Sequence, residues 1–229
     1  MAVTSCDESG MAESYCKRRG DAFGNKVGLA TPLKRPKQAR AKFTVEAIYG
    51  ALVRIVTRDS WAAVSMRALA EESGYAVGTI YDYFPDREAA LSGYVRHVLE
   101  ARLALIAKVG DTPWRKHAEQ LVRATYGTGS EALPLLPELI DVEYRIADRG
   151  RHDRVFAELV DAWTRSLGSA PDLNGIPSAV IEQLVLVVWG TLRYAALVHA
   201  EALNDGAMIA LSSSIAVDIL APYAINGQA

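Results

Sequence analysis

The residues whose types and spacing point to joint chemistry fall in one short stretch, and that chemistry is contact. Ala76, Val77, Gly78, Thr79, Tyr81, Tyr83 and Arg87 bring together small apolar groups, a glycine, three hydroxyls and a guanidinium within twelve positions. Methyl groups can meet thymine methyls, a glycine lets backbone come close, and hydroxyls and guanidinium bond phosphate oxygens. None of Ala76, Val77 and Gly78 can make the paired bonds by which Arg reads guanine or Asn reads adenine.

Bond-making chemistry has no comparable constellation. His97, His117, His152 and His199 are scattered, with no pair at i, i+3 or i+4 to start a metal site. Asp141 and Glu143, at i, i+2, point to different faces of a helix. Gly127-Thr128-Gly129-Ser130 lacks the lysine and the preceding strand of a phosphate-cradling loop, and no G-x-S-x-G motif is present. No metal, cofactor or catalytic residue is expected.

The elements that must position the contact residues are two short helices. Met66, Leu69 and Ala70 stand at i, i+3 and i+4, one apolar stripe, and Ser65 precedes them where a hydroxyl can cap the first turn. Ser73-Gly74 stops this helix, because glycine takes the left-handed conformation cheaply. Val77, Ile80, Tyr81 and Phe84 repeat the helical spacing and start the second. Two helices joined by a short Gly-containing turn form a helix-turn-helix, whose second helix can enter the major groove of DNA.

With its flanks Ile48–Val64 and Pro85–Leu91, the stretch resembles the DNA-binding domain of the tetracycline-repressor (TetR) family. The resemblance rests on Ser65, Gly74, Gly78-Thr79-Ile80-Tyr81, Tyr83-Phe84 and Arg87-Glu88, and covers roughly residues 44–91. It implies that Tyr83 and Arg87 bond backbone phosphates. Read from the residues, Ala76, Val77 and Gly78 form the first turn that approaches base edges, Thr79 and Tyr81 offer hydroxyls to bases or phosphate, and Ile80, Phe84 and Trp61 are assigned to the core. Two positions depart from the pattern: Ser60 stands where glycine is usual, and Val45 where a basic residue is common.

Over the 229 residues the net charge is −2, which gives no hint of a nucleic-acid partner, but the average hides an asymmetry. Residues 34–97 carry ten Lys/Arg and seven Asp/Glu, whereas residues 98–229 carry eleven and sixteen. A basic module joined to an acidic one suggests that only the first meets phosphate. Cys6 and Cys16 lie outside the packed segments, which argues against a disulfide framework and fits a reducing cytoplasm. No signal peptide is visible. The most apolar run, Leu184–Trp189, is too short to span a bilayer, so no membrane partner is expected.

Taken in order, residues 1–33 read as a disordered tail, with Met11 a possible second start. Residues 34–43 read as a basic arm: Lys34, Arg35, Lys37, Arg40 and Lys42 can follow phosphates or enter the minor groove. Thr44, a good N-cap, opens helix one, which carries Ile48, Leu52, Ile55 and Val56. Residues 44–91 make the helix-turn-helix domain, with the motif itself at 65–84, and residues 92–229 a helical second domain. Within the latter, helix four runs from Asp86 toward Val109 and is the natural transmission element. Further helices follow at Pro113–Tyr126, Ile140–Ala147 and Asp153–Leu167, with a loop at Ser169–Pro177. The segments 177–203 and 207–223 are apolar on nearly every face, so a second subunit is expected to cover part of them as a homodimer.

The fold expected is therefore all-α: an N-terminal three-helix helix-turn-helix domain plus a larger C-terminal helical domain for ligand binding and dimerisation. DNA contacts are assigned to Lys42, Thr44, Ser65, Ala76, Val77, Gly78, Thr79, Tyr81, Tyr83 and Arg87. The family also implies an effector pocket, for which Trp114, His117, Tyr126, Leu139, Tyr144, Trp163, Trp189 and Tyr194 are candidate walls, and His117 or Arg145 a polar anchor. The function expected is that of a dimeric regulator, a repressor, that binds a (pseudo)palindromic double-stranded operator and is released by a small apolar effector. The alternatives are an architectural or protein-controlled DNA-binding regulator without a small ligand, and an all-helical enzyme or lipid carrier, which the missing catalytic motif disfavours.

Overall fold

Helix α1 (Ala39–Asp59) starts five residues before Thr44, inside the basic arm. Thr44 therefore does not cap it: the residue is buried, and its hydroxyl donates back to the Arg40 carbonyl at 3.1 Å. A threonine one turn into a helix satisfies its hydroxyl in this way. The computed structural model describes residues 32–33, 39–128, 133, 136–198 and 206–225. The expectations for residues 1–31, for Lys34, Arg35 and Lys37, and for Gly129, Ser130 and His199 lie outside the described residues. Pro32 and Leu33, the end of the expected tail, are described: Leu33 N–H donates to the Tyr83 carbonyl at 2.8 Å.

A 3-10 turn at Trp61–Ala63 leads into α2 (Met66–Ser73), α3 (Val77–Tyr83) and α4 (Arg87–Ala107). Then come α5 (Trp114–Tyr126), α6 (Pro137–Ile146), α7 (Arg149–Leu167), α8 (Ser178–Val198) and α9 (Gly206–Leu220). The starts have local causes. Asp86 caps α4 by accepting from Ala89 N–H at 2.7 Å, and Asp148 caps α7 by accepting from Arg151 N–H at 2.8 Å. The second cap begins α7 four residues before the expected Asp153. Pro137 sits in the first turn of α6, where its missing N–H costs nothing. Among the described residues the only β pairing is an isolated bridge between Leu173 and Ala224, which holds the 168–177 loop.

Two cores meet along α4. The first gathers Ile48, Leu52 and Ile55 of α1, Leu69, Ile80 and Phe84, then Leu91, Tyr94 and Val98 of α4. The second takes Leu99 and Ile106 of α4 with Leu121, Trp163, Leu184, Val188, Ala216 and Leu220. By length and composition α8 and Gly206–Tyr223 are each apolar enough to cross a membrane, which the short run Leu184–Trp189 does not suggest. Here Leu184, Val188 and Leu192 of α8 are packed inside the second core. On its outer side α8 leaves Leu186, Tyr194, Leu197 and Val198 exposed, spaced as one helical face, and α9 leaves Leu211.

Candidate nucleic-acid interface

Ser65 adopts extended backbone, and its hydroxyl accepts the Ala68 N–H at 3.0 Å, as the capping argument requires. The hydroxyl is thus committed to α2, although the residue is exposed. Gly74 ends α2 at φ 77 and donates its N–H to the Ala70 carbonyl at 3.0 Å. Beyond that turn, the burial of Ile80 and Phe84 fixes which side of α3 faces out. The outward side carries Ala76, Val77 (45% exposed), Gly78 and Tyr81 (49% exposed), with Thr79 half-buried. A Cβ at Gly78 would meet nothing within 4 Å, so nothing inside the protein requires glycine there. The expected base-facing residues are therefore together on one accessible surface.

The expected phosphate contacts are more varied. Tyr83 is half-buried beside Phe84, with ring centroids 6.4 Å apart. Arg87 donates from Nη1 to the Val64 carbonyl at 3.0 Å and from Nε to Glu88 at 3.1 Å. Its guanidinium also lies 5.0 Å from the Trp61 ring. Arg87 therefore ties the start of α4 to the connection that leads into α2, and Trp61 is a half-buried partner of this tie. Lys42 is exposed on α1, where it lines a cleft of about 700 Å³ between α1, α4 and α7. Thr44, buried and bonded within α1, is not on the surface that α3 presents.

Several cations of the module already have partners. Glu72 of α2 takes Arg54 Nε at 2.6 Å and Arg58 Nη1 at 3.0 Å, and these hydrogen bonds hold its carboxyl below the usual range. Arg67 pairs with Glu71 one turn along α2, at 2.9 Å. Ser60, in place of the usual glycine, holds φ 82 and ψ 167, a region that is essentially glycine's alone.

The eight candidates for an effector pocket are not brought together. Trp114, His117, Tyr126 and Trp163 are buried in the packing of the C-terminal domain, and Leu139 belongs to the N-terminal core. Tyr144 and Tyr194 are exposed, and Trp189 is half-buried. Arg145 is exposed and pairs with Asp141 at 3.0 Å. Close packing accounts for the first four: Trp163 Nε1 donates to the Thr125 hydroxyl at 3.0 Å, the Tyr126 and Ser212 hydroxyls are 2.9 Å apart, and His117 Nε2 lies 3.0 Å from the Ser166 hydroxyl. Burial holds His117 below the ordinary histidine range, against backbone hydrogen bonding at Gly110 and Ser166 and the weaker pull of Asp172 and Asp111. No group of three His, Cys, Asp or Glu placed to hold a metal occurs among the described residues.

Two features have no counterpart in the sequence expectations. The first is α6, which joins the domains: Leu139 and Val142 enter the N-terminal core, and Glu138 accepts the Trp61 N–H at 2.6 Å. The second is a pair of buried arginines. Arg193 of α8 is paired with Glu143 of α6, whereas Arg102 of α4 has no such partner among the described residues. An arginine on an otherwise apolar helical face was the available signal for each.

Residues 48–91 match the family model described as bacterial regulatory proteins, tetR family. No curated protein matches the chain. Among solved structures the fold is similar to that of a TetR-family transcriptional regulator from Haemophilus influenzae, at 17% identity, 80% coverage of this chain and 99% of that one, with a TM-score of 0.54. A transcriptional regulator from Rhodococcus sp. Rha1 matches at 13% identity, with 80% and 98% covered and a TM-score of 0.59. SmeT, the repressor of the Stenotrophomonas maltophilia multidrug efflux pump SmeDEF, matches at 18% identity, with 81% and 94% covered and a TM-score of 0.56. A complex of SmeT with triclosan matches at 18% identity, with 80% and 93% covered and the same TM-score. The chain thus carries a tetR-family DNA-binding domain within the all-helical fold of TetR-family regulators.

Proposed function

We propose that this TetR-type chain is a dimeric, cytoplasmic transcriptional repressor that holds a (pseudo)palindromic operator and releases it when a small molecule binds its C-terminal domain. The observation that carries this reading is the α2–α3 unit. Its buried Ile80 and Phe84 force Val77, Gly78 and Tyr81 outward onto one surface. Small apolar groups and hydroxyls on that surface suit contact with thymine methyls and phosphates, so sequence choice per half-site is modest and affinity is salt-dependent.

Dimerisation is supported by the outer face of α8, where Leu186 is 61% and Tyr194 67% exposed. A two-fold axis there would set two copies of α3 about 34–36 Å apart, one turn of DNA. Ligand response is supported by analogy with SmeT, a repressor by name that has been solved with triclosan. For transmission the chain has two connections, α4 through both cores and α6 through Glu138 and Leu139. The ligand acts only by preferring a state in which the α3 copies are wrongly spaced.

A reading without any small ligand is favoured by the dense packing of Trp114, Tyr126 and Trp163. The test of both is selection of bound duplexes from a random pool at a fixed salt concentration. An inverted repeat, lost in the monomeric variant Leu186→Glu/Tyr194→Glu, is expected. Retention without a shared sequence would move the chain to the architectural reading, and no retention would sink the regulator.

A further inference from the structure

Arg102 lies on the inner face of α4 and is 3% exposed. Its Nη2 donates to the Tyr126 carbonyl at 3.2 Å, while Nε and Nη1 are buried with no hydrogen-bond partner among the described residues. Gly127, at φ 71, packs so tightly on the guanidinium that a Cβ there would stand 3.1 Å from Nε and Nη2. The Trp189 ring lies 5.8 Å from the guanidinium of Arg102 and 5.5 Å from that of Arg193. Two buried cations thus share one indole, and among the described residues only Arg193 has a carboxylate, that of Glu143.

An arginine does not escape burial by losing its proton. Burial, with Arg193 adding to it and Tyr94 opposing, lowers Arg102 to about 10, which leaves it charged near neutrality. A charge held away from water without an opposite charge beside it is costly, and an incoming anion would relieve that cost. Apolar side chains flank it: Leu99 and Ile106 are buried one turn away on the same helix, with Leu103 beside it.

We propose that Arg102 anchors the effector, and that the effector is a small organic anion: a carboxylate on an apolar body. This rests on the ligand-responsive reading above and names its ligand class. The carboxylate supplies acceptors for the N–H groups that the protein leaves unmet, and the apolar body lies against Trp189 and the flanking side chains. The site is coupled to the DNA-binding module by the neighbouring pair. Arg193 holds Glu143 on α6, the helix that sends Leu139 into the N-terminal core and Glu138 to Trp61. A second negative charge beside two arginines and one glutamate competes with Glu143 for Arg193 and so loosens that pair and with it α6.

The experiment uses the full chain and a matched probe series: acetate, hexanoate, decanoate and benzoate, each against its primary amide. Binding is read by tryptophan fluorescence, stability by thermal melting without ligand, and operator retention on the same samples. At least one acid is expected to bind tenfold or more tightly than its amide, with the preference lost in Arg102→Met and partly kept in Arg102→Lys. Without ligand, Arg102→Met is expected to melt at or above the wild-type temperature, because an unpaired buried charge is gone. Acids binding no better than amides would overturn the proposal, as would an Arg102→Met that melts well below wild type, since that assigns the residue to structure. Operator release by amides as well as acids overturns the anion while leaving the regulator standing. A chain that retains no DNA but keeps the acid preference removes the regulator and supports the anion site.

Discussion

In the N-terminal module Arg54, Arg58 and Arg67 lie on the surface opposite Glu72 and Glu71, at 2.6–3.0 Å. In the C-terminal domain Arg102 and Arg193 are buried, with one glutamate between them. The difference separates two ways of using the same side chain. Exposed pairs contribute about 0–1 kcal/mol each, because water screens them and the side chains lose freedom. The Arg54 and Arg58 pairs orient α1 against α2 while leaving the α3 surface free. Buried guanidiniums have no water to fall back on, so each partner matters several times more. The module carries its charge pairs in solvent; the C-terminal cluster carries its charges inside the packing.

The sharpest way to break this contrast is to remove the paired arginine. Arg193→Met leaves Glu143 buried without a partner and is expected to cost about 3–5 kcal/mol in denaturant unfolding. Glu72→Gln, its surface counterpart, should leave the unfolding midpoint nearly where it is, because water screens the pair. Equal losses would erase the distinction.

A step smaller is Gly78→Val. Because a Cβ there meets nothing within the chain, the melting temperature should hold or rise while operator affinity drops at least about tenfold, roughly 1.4 kcal/mol. Unchanged affinity in a mobility-shift titration would move the contact surface away from α3. Smaller still, Ser60→Gly is expected to stabilise the chain by about 1 kcal/mol, since glycine relieves a backbone conformation that serine occupies under strain. A loss of stability would show that the Ser60 side chain is needed in the turn.

The smallest effect is a pH dependence in the C-terminal core. Burial lowers the His117 pKa from its ordinary 6.5, so the unfolded chain takes up a proton that the folded chain resists. Stability contributed by the neutral ring is therefore complete above 6.5 and is lost as pH falls below it. Melting curves from pH 7.5 to 5.5, as stated conditions, should slope down in wild type and less so in His117→Gln. Parallel slopes would place the titration elsewhere.

How much was legible beforehand follows from how local each interaction is. Ser65, Gly74 and the Val77–Phe84 spacing act through bonds within a few residues, and the helix-turn-helix could be read from them. Thr44 misled because a threonine caps a helix or back-bonds inside one by the same hydroxyl, and only the helix start at Ala39 decides between them. The aromatic residues were recognised as apolar and large, but nothing in their spacing tells a pocket wall from a packed core. Trp163 and Tyr126 became core because Thr125 and Ser212 meet their polar atoms from other turns and other helices.

By itself the sequence determined the all-helical class, the reading module and its outward surface, because periodicity and capping depend on neighbours three or four positions away. Only the tertiary structure decided that α6 joins the two cores, that Arg193 meets Glu143 fifty positions distant, and that Arg102 meets no carboxylate among the described residues. Those pairings are set by how helices pack against one another. A buried charge takes its meaning from a partner that no local spacing can supply.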